Sequence, residues 1–277
     1  MHRYLASVAL LVLFSTTLSA AVAYDFRQTH RSDRRSRVPA ESQGQGLIDG
    51  DRSRVEFTGG NIYPAGAFII ATRGANSVIM ANPATKSYSE VNLVALASRI
   101  ASGEIEIRNL KTRVEKLPDH PTVSGLPTDH YRTETTYEIS VRGSALTLTQ
   151  NVHTSIEKWT TTAFGDVAGA FLDLDTFRTG NAQMDALLEA ELSKVKGLPL
   201  RTVTTVTTTG TGNLARPGSK LEPQKRVQVS EILLSNVRIE PAPAASFEIP
   251  PGFSKAEARG AAAQSRVHML SMEPEKR

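Results

Sequence analysis

The chain has 277 residues, 40% of them hydrophobic and 22% charged, with 19 Gly, 14 Pro and no Cys. That apolar fraction supports a packed core, and the length allows one large domain or two small ones. The missing cysteine excludes disulfides, thiol nucleophiles, Cys-ligated zinc, iron–sulfur clusters and a lipid-modified N-terminal Cys.

The formal charge of +4 is concentrated at one end. Six of the 32 cations but only two of the 28 acids precede Glu41, which leaves 26 of each in the rest of the chain. A neutral body with 6% aromatic residues offers nucleic acid neither a basic face nor a stacking surface.

Arg3 is the only charge before Asp25. Leu5–Phe14 is apolar, and a polar Ser15-Thr16-Thr17 step leads to Ala21-Val22-Ala23. A basic start, a short apolar run and a small-x-small exit predict a secretory signal peptide over residues 1–23, cleaved between Ala23 and Tyr24. The run is about half the length of a bilayer span, so an exported, soluble mature chain is expected. Residues 24–45 come next. There Arg27, Arg31, Arg34, Arg35 and Arg37 face only Asp25 and Asp33, without apolar periodicity. This composition predicts a disordered Arg-rich arm, whose functional option is peripheral contact with an anionic membrane.

The body reads mostly as strands. Val55 and Phe57 start one, then come Phe68–Ala71 and Ser77–Ala81, and Asn82-Pro83 turns the chain into Ser87–Ser89. Val91–Ser102 carries Leu93, Leu96 and Ile100 on one side of a short predicted helix. Ile105 and Ile107 mark another strand. Tyr131, Thr133, Thr135, Tyr137, Ile139 and Val141 alternate with Arg132, Glu134, Thr136, Glu138, Ser140 and Arg142, which predicts one apolar and one wet face. Arg142-Gly143-Ser144 turns this strand into a second, with Leu146, Leu148, Val152 and Ile156 on one side.

The strongest helical pattern is Asn181–Lys196, where Met184, Leu187, Leu188, Leu192 and Val195 form an apolar stripe before Gly197 and Pro199. Thr202–Thr209 suits a strand. In the last strand Val227, Val229, Leu233, Val237 and Ile239 are expected to share a face. The tail 255–277 has little to bury and is expected to be flexible. About nine or ten strands with one or two helices make an antiparallel α+β domain over 46–254.

No catalytic signature emerges, so no enzyme is expected and no catalytic, metal or cofactor residue is assigned. The six His include no pair at helical zinc spacing. Asp119-His120 and Asp129-His130 sit in similar Pro-containing settings, which fit turns or a metal site. Asp173, Asp175 and Asp185 lack a calcium-loop pattern. Glu134 and Glu138 beside Arg132 and Arg142 read as surface ion pairs.

Four stretches in order resemble a known family. They are Gly50-Asp-Arg-Ser-Arg-Val-Glu56 with the strands after it, and Val123-Ser-Gly-Leu-Pro-Thr-Asp-His-Tyr131. Then come Glu157-Lys-Trp159 with Gly197-Leu-Pro-Leu-Arg-Thr202, and Ser246-Phe-Glu-Ile-Pro-Pro-Gly-Phe253. The order resembles an uncharacterised exported bacterial family, a domain of unknown function similar to the LolA/LolB/LppX superfamily of periplasmic lipoprotein and lipid carriers. The resemblance implies a strongly curved antiparallel sheet, an unclosed half-barrel, with one or two helices on its concave side. It also implies a periplasmic location and a hydrophobic ligand, lipid or lipid-modified peptide between sheet and helix. With the Asn181–Lys196 helix as a lid, the expected lining is Tyr137, Ile139, Leu146, Leu148, Met184, Leu187, Leu188 and Leu192. The alternative is a non-carrier interaction or sensor module of an envelope assembly, with a filled core and an envelope protein as partner.

Overall fold

The computed structural model describes residues 19–33, 39–72, 75, 77–92, 105–142, 146–165, 182–214 and 220–256. Six strands open the fold: β1 (Ser19–Ser32), β2 (Ala40–Asp49), β3 (Arg52–Gly60), β4 (Phe68–Thr72), β5 (Ser77–Asn82) and β6 (Ser87–Asn92). After them come β7 (Ile105–Lys116), β8 (Thr122–Val123), β9 (Leu126–Pro127), β10 (Asp129–Arg142) and β11 (Leu146–Thr161). Helix α1 (Ala182–Leu192) precedes β12 (Leu198–Leu214), β13 (Lys220–Ala242), a 3-10 turn at Ala244–Phe247 and β14 (Ser254–Lys255).

Twelve strands form one unclosed sheet in the order β14-β6-β5-β4-β3-β2-β1-β13-β12-β11-β10-β7. Its pairs are antiparallel except β14 against β6. β8 and β9 form a separate ribbon. Register shifts at Ala23/Asp25, Gln43/Gly44, Thr136/Glu138, Trp159/Thr160 and Gly210/Gly212 bend and twist the strands into a curved sheet. The domain is mainly β, with one α-helix among the described residues.

The expected Arg-rich arm is corrected. Residues 24–32 and 40–45 belong to β1 and β2, and β1 lies inside the sheet, paired with β13 on one side and β2 on the other; Arg34, Arg35 and Arg37 lie outside the described residues. The charges hid a period of two. Val22, Tyr24 and Phe26 are buried, while Arg27 and Arg31 are exposed. The Gln43-Gly-Gln-Gly46 stretch, linker-like by composition, is the strand that accepts these rings. A Cβ on Gly44 would collide with Phe26, and one on Gly46 with Tyr24. The domain therefore begins well before residue 46. The expected cleavage between Ala23 and Tyr24 falls within β1, where Ala21, Val22 and Ala23 are all buried. Residues 1–18 and 257–277 lie outside the described residues.

The inner core joins Val22, Tyr24, Phe26, Ile48, Val55, Phe57 and Ile69 to Leu198, Leu200 and Leu234. Burial pushes the Tyr24 hydroxyl well above its usual range. Two smaller clusters sit elsewhere on the same strands. Phe247 packs with Ala21 and Ala242, and Phe253 packs against Phe68, Ile70 and Ala81. Gly50, at φ 61, leads the tight β2–β3 turn. Arg52 then stacks on the C-terminal Phe247 at 4.8 Å, and Arg54 stacks on Phe68 of β4 at 3.9 Å while donating to Ser246 O at 3.3 Å. The Gly50–Glu56 and Ser246–Phe253 motifs are thus two sides of one contact.

Two further expectations change. Asn236, at φ 50, and Val237 together oppose Tyr24 at a bulge. Val237 therefore packs against the inner core, whereas Leu233 is exposed. The Val91–Ser102 helix is not formed at its start, since Val91 and Asn92 end β6; residues 93–104 lie outside the described residues.

Candidate functional site

A cavity of about 230 Å³ opens between the Asn61–Ala67 loop and strands β3 to β6. Phe57, Tyr63, Ile69 and Met80 line its apolar part, and Asn82 and Ser89 are among its polar residues. The loop is tied back onto β3. Phe57 N–H donates to Ala67 O at 2.8 Å, and Gly66 N–H donates to Phe57 O at 2.7 Å. Gly66 at φ 82 permits this return. Tyr63 stacks on Phe57 with ring centroids 4.1 Å apart, and burial raises the pKa of its hydroxyl. Asn82 Oδ1 accepts the Ala84 N–H at 3.0 Å, which fixes the β5–β6 turn at the cavity's side.

The expected lining lies on other strands. Tyr137, Ile139 and Leu148 are half-buried on β10 and β11, in the register Tyr137↔Val152, Ile139↔Gln150 and Val141↔Leu148. Burial also raises the Tyr137 hydroxyl. The side chains of Leu146, Met184 and Leu188 lie outside the described ones. Leu192 is half-buried and Leu187 is 38% exposed, so Leu187 does not join a shared buried set.

Helix α1 neighbours β7, the last strand of the sheet. Glu191 Oε2 accepts the Val114 N–H of that edge at 2.8 Å. Lys194 holds the same carboxylate, and the two donors keep Glu191 below the usual carboxylate range. The helix thus satisfies part of an open sheet edge, in place of the expected lid over β10 and β11. It spans Ala182–Leu192, shorter than the periodicity implied. Residues 166–181 lie outside the described residues, with Asp173 and Asp175 among them.

Sequence reasoning missed the cavity's residues. Tyr63 sits in a Gly- and Asn-rich turn stretch, which carries no periodic signal. Met80 was visible only as part of a strand. Among the described residues, no group of three or more His, Asp or Glu is arranged to hold a metal ion.

No family model matches the chain. No curated protein matches it either. Among solved structures the chain is similar to the LolA superfamily protein NE2245 from Nitrosomonas europaea. That likeness covers 82% of this chain and 90% of the other, at 11% identity and a TM-score of 0.33. A second is Ail, the attachment invasion locus protein of Yersinia pestis, in complex with the heparin analogue sucrose octasulfate. It covers 78% of this chain and 95% of the other, at 10% identity and a TM-score of 0.12. The first of these bears the superfamily name that the four motifs resemble.

Proposed function

We propose that this is an exported, periplasmic, non-enzymatic protein that binds a hydrophobic ligand, lipid or lipid-modified peptide on its open sheet. The observation that carries the reading is the aromatic- and Met-lined cavity beside β3 to β6. Its volume of about 230 Å³ lies below the roughly 300–1,000 Å³ of small-molecule pockets, so it suits one thin apolar group, such as the end of a single acyl chain. Asn82 and Ser89 offer polar atoms to a carbonyl or hydroxyl beside that chain. The sequence's export pattern supports the location. Among the described residues no helix is long and apolar enough to cross a membrane.

The test is titration of delipidated protein with a fluorescent single-chain fatty acid. Saturable binding that Met80→Trp abolishes, with the melting temperature kept, supports the reading. Saturable binding unaffected by Met80→Trp moves the ligand elsewhere on the sheet. No saturable binding defeats the reading and favours an interaction or sensor module, to which the closely packed inner core of β1 to β4 already lends weight.

A further inference from the structure

The two Asp-His dipeptides stand on the two legs of the β8–β9 hairpin and pair crosswise. His130 Nδ1 lies 3.0 Å from both carboxylate oxygens of Asp119. His120 Nδ1 lies 3.1 Å from Asp129 Oδ1, and Lys116 Nζ lies 2.8 Å from Asp129 Oδ2. Backbone bonds brace the same legs. Leu117 N–H donates to His130 O, and Thr128 N–H donates to Pro121 O.

His130 is only 6% exposed, and its ring stacks on Trp159 at 4.4 Å. Its Nε2 faces Glu157 Oε2 at 3.4 Å and has no hydrogen-bond partner. Arg132 of β10 donates to the other oxygen of Glu157 at 2.8 Å. Arg201 of β12 covers Trp159 at 4.7 Å and pairs with Glu231 of β13.

A neutral imidazole has one N–H and one lone pair. Here either tautomer turns its lone pair onto a carboxylate, that of Asp119 or that of Glu157. Only the imidazolium offers an N–H to both, and the face of Trp159 favours its charge. The carboxylates of Asp119 and Glu157 flank the ring on its two nitrogens, with Arg132 and Lys116 paired to Glu157 and Asp129 nearby. Asp119 is held below the usual carboxylate range, chiefly by its bond to His130, and Asp129 chiefly by Lys116. Both stay ionised across the window of about pH 5–8 in which histidines change charge.

We propose that His130 is a proton-operated clasp on the β8–β9 hairpin. Protonated, it ties Asp119 of the hairpin leg to Glu157 of β11. Neutral, it keeps one N–H for Asp119, loses the charge attraction to Glu157, and the leg loosens. The hairpin turns tightly through Ser124 and Gly125, at φ 51 and 80. It carries Val123 and Leu126 onto the inner core, and Ser124 Oγ donates to Leu234 O at 2.5 Å. Loosening it uncovers apolar surface around Leu234 and Ile232. This clasp stands independently of the ligand reading.

The chain has a single tryptophan, so its emission reports the stacked imidazole directly. An imidazolium quenches a stacked indole more strongly than the neutral ring does. Emission of the full chain is expected to fall from pH 8 to pH 5. His130→Gln abolishes that titration, His153→Gln leaves it, and Asp119→Asn moves it to lower pH. Amide exchange at Val123–Leu126, corrected for intrinsic rates, is expected to be several-fold faster at pH 8 than at pH 5.5. Asp119→Asn shrinks that difference. Flat emission in the unaltered chain, or a titration that survives His130→Gln, overturns the proposal. So does equal hairpin exchange at both pH values. Should His130→Gln fail to fold, an unshifted titration in Asp119→Asn overturns it instead.

Discussion

The two halves of the sheet are built differently. Strands β1 to β4 carry the fully buried aromatics Tyr24 and Phe57 in the inner core, and the C-terminal stretch with Phe247 and Phe253 adds further apolar clusters to them. On β12, Arg201–Thr208 are half-buried at every position, and so are Thr135, Tyr137 and Ile139 on β10. What holds this second half is ladder length and cross-strand pairing. Strands β10 to β12 run 14, 16 and 17 residues. Thr112 and Thr135 meet at 2.9 Å, Ser140 and Thr149 at 3.1 Å, and Ser155 donates to Glu134 at 2.7 Å. The first half is stabilised chiefly by burial, whereas the second, beyond Leu198, Leu200, Val152 and Trp159, relies more on hydrogen-bonded pairs near water. Substitutions in the two should therefore differ in size.

The largest effect belongs to the packed half. Phe57→Ala removes a ring that is 2% exposed and touches Phe26 and Tyr63. It should cost about 3–5 kcal/mol, lowering the melting temperature by on the order of 10 °C. Deleting residues 19–32 should abolish cooperative unfolding altogether, since β13 and β2 would lose the strand between them. A deletion variant that melts like the full chain would show that this strand is dispensable.

Gly46→Ala is the next largest. Its new methyl group meets the Tyr24 ring, which is buried and has nowhere to move. Overpacking of this kind costs about 1–3 kcal/mol, read by urea titration with an unchanged slope. In the open half, Ile156→Ala should cost about 1–2 kcal/mol, below the range for a fully buried side chain. Equal losses for Phe57→Ala and Ile156→Ala would erase the contrast between the halves.

The contrast explains what was readable in the sequence. Strands β10 and β11 were visible because one face is charged and the other is not, and their register follows the expected hairpin. β1 and β2 were hidden for the opposite reason. Arg27 and Arg31 made a core strand look like a solvated arm, and Gly44 and Gly46 made its partner look like a linker. Neither signal is local, because Gly46 makes sense only with the ring of Tyr24 lying across it, and Gly44 only with the Glu56 carbonyl and the Phe26 ring beside it. The cavity was unreadable because Tyr63 reaches it from a loop whose path is fixed by backbone bonds to Phe57. The crosswise Asp-His pairing was half legible. The repeated dipeptide was plain, but pairing instead of metal binding depends on the hairpin that brings the legs together.

The smallest expected effect is at α1. The apolar stripe suggested a helix buried against the sheet, and Leu187→Ala would then cost as much as a core truncation. In the structure Leu187 is 38% exposed, and the helix meets the edge strand β7 through the Glu191 carboxylate. Leu187→Ala should therefore change stability by no more than about 0.5 kcal/mol, as for a surface position. Glu191→Gln acts differently. The Glu191 carboxyl is held below its usual range by Lys194 and by the Val114 amide. Its folded pKa is thus below its unfolded value, so its contribution is present at neutral pH and disappears as the pH falls below about 4. Melting curves at pH 7 should place Glu191→Gln below the unaltered chain and Leu187→Ala level with it. At pH 3 the gap for Glu191→Gln should narrow. A large loss from Leu187→Ala at pH 7 would put the helix back over a buried face and remove the edge-strand role assigned to it.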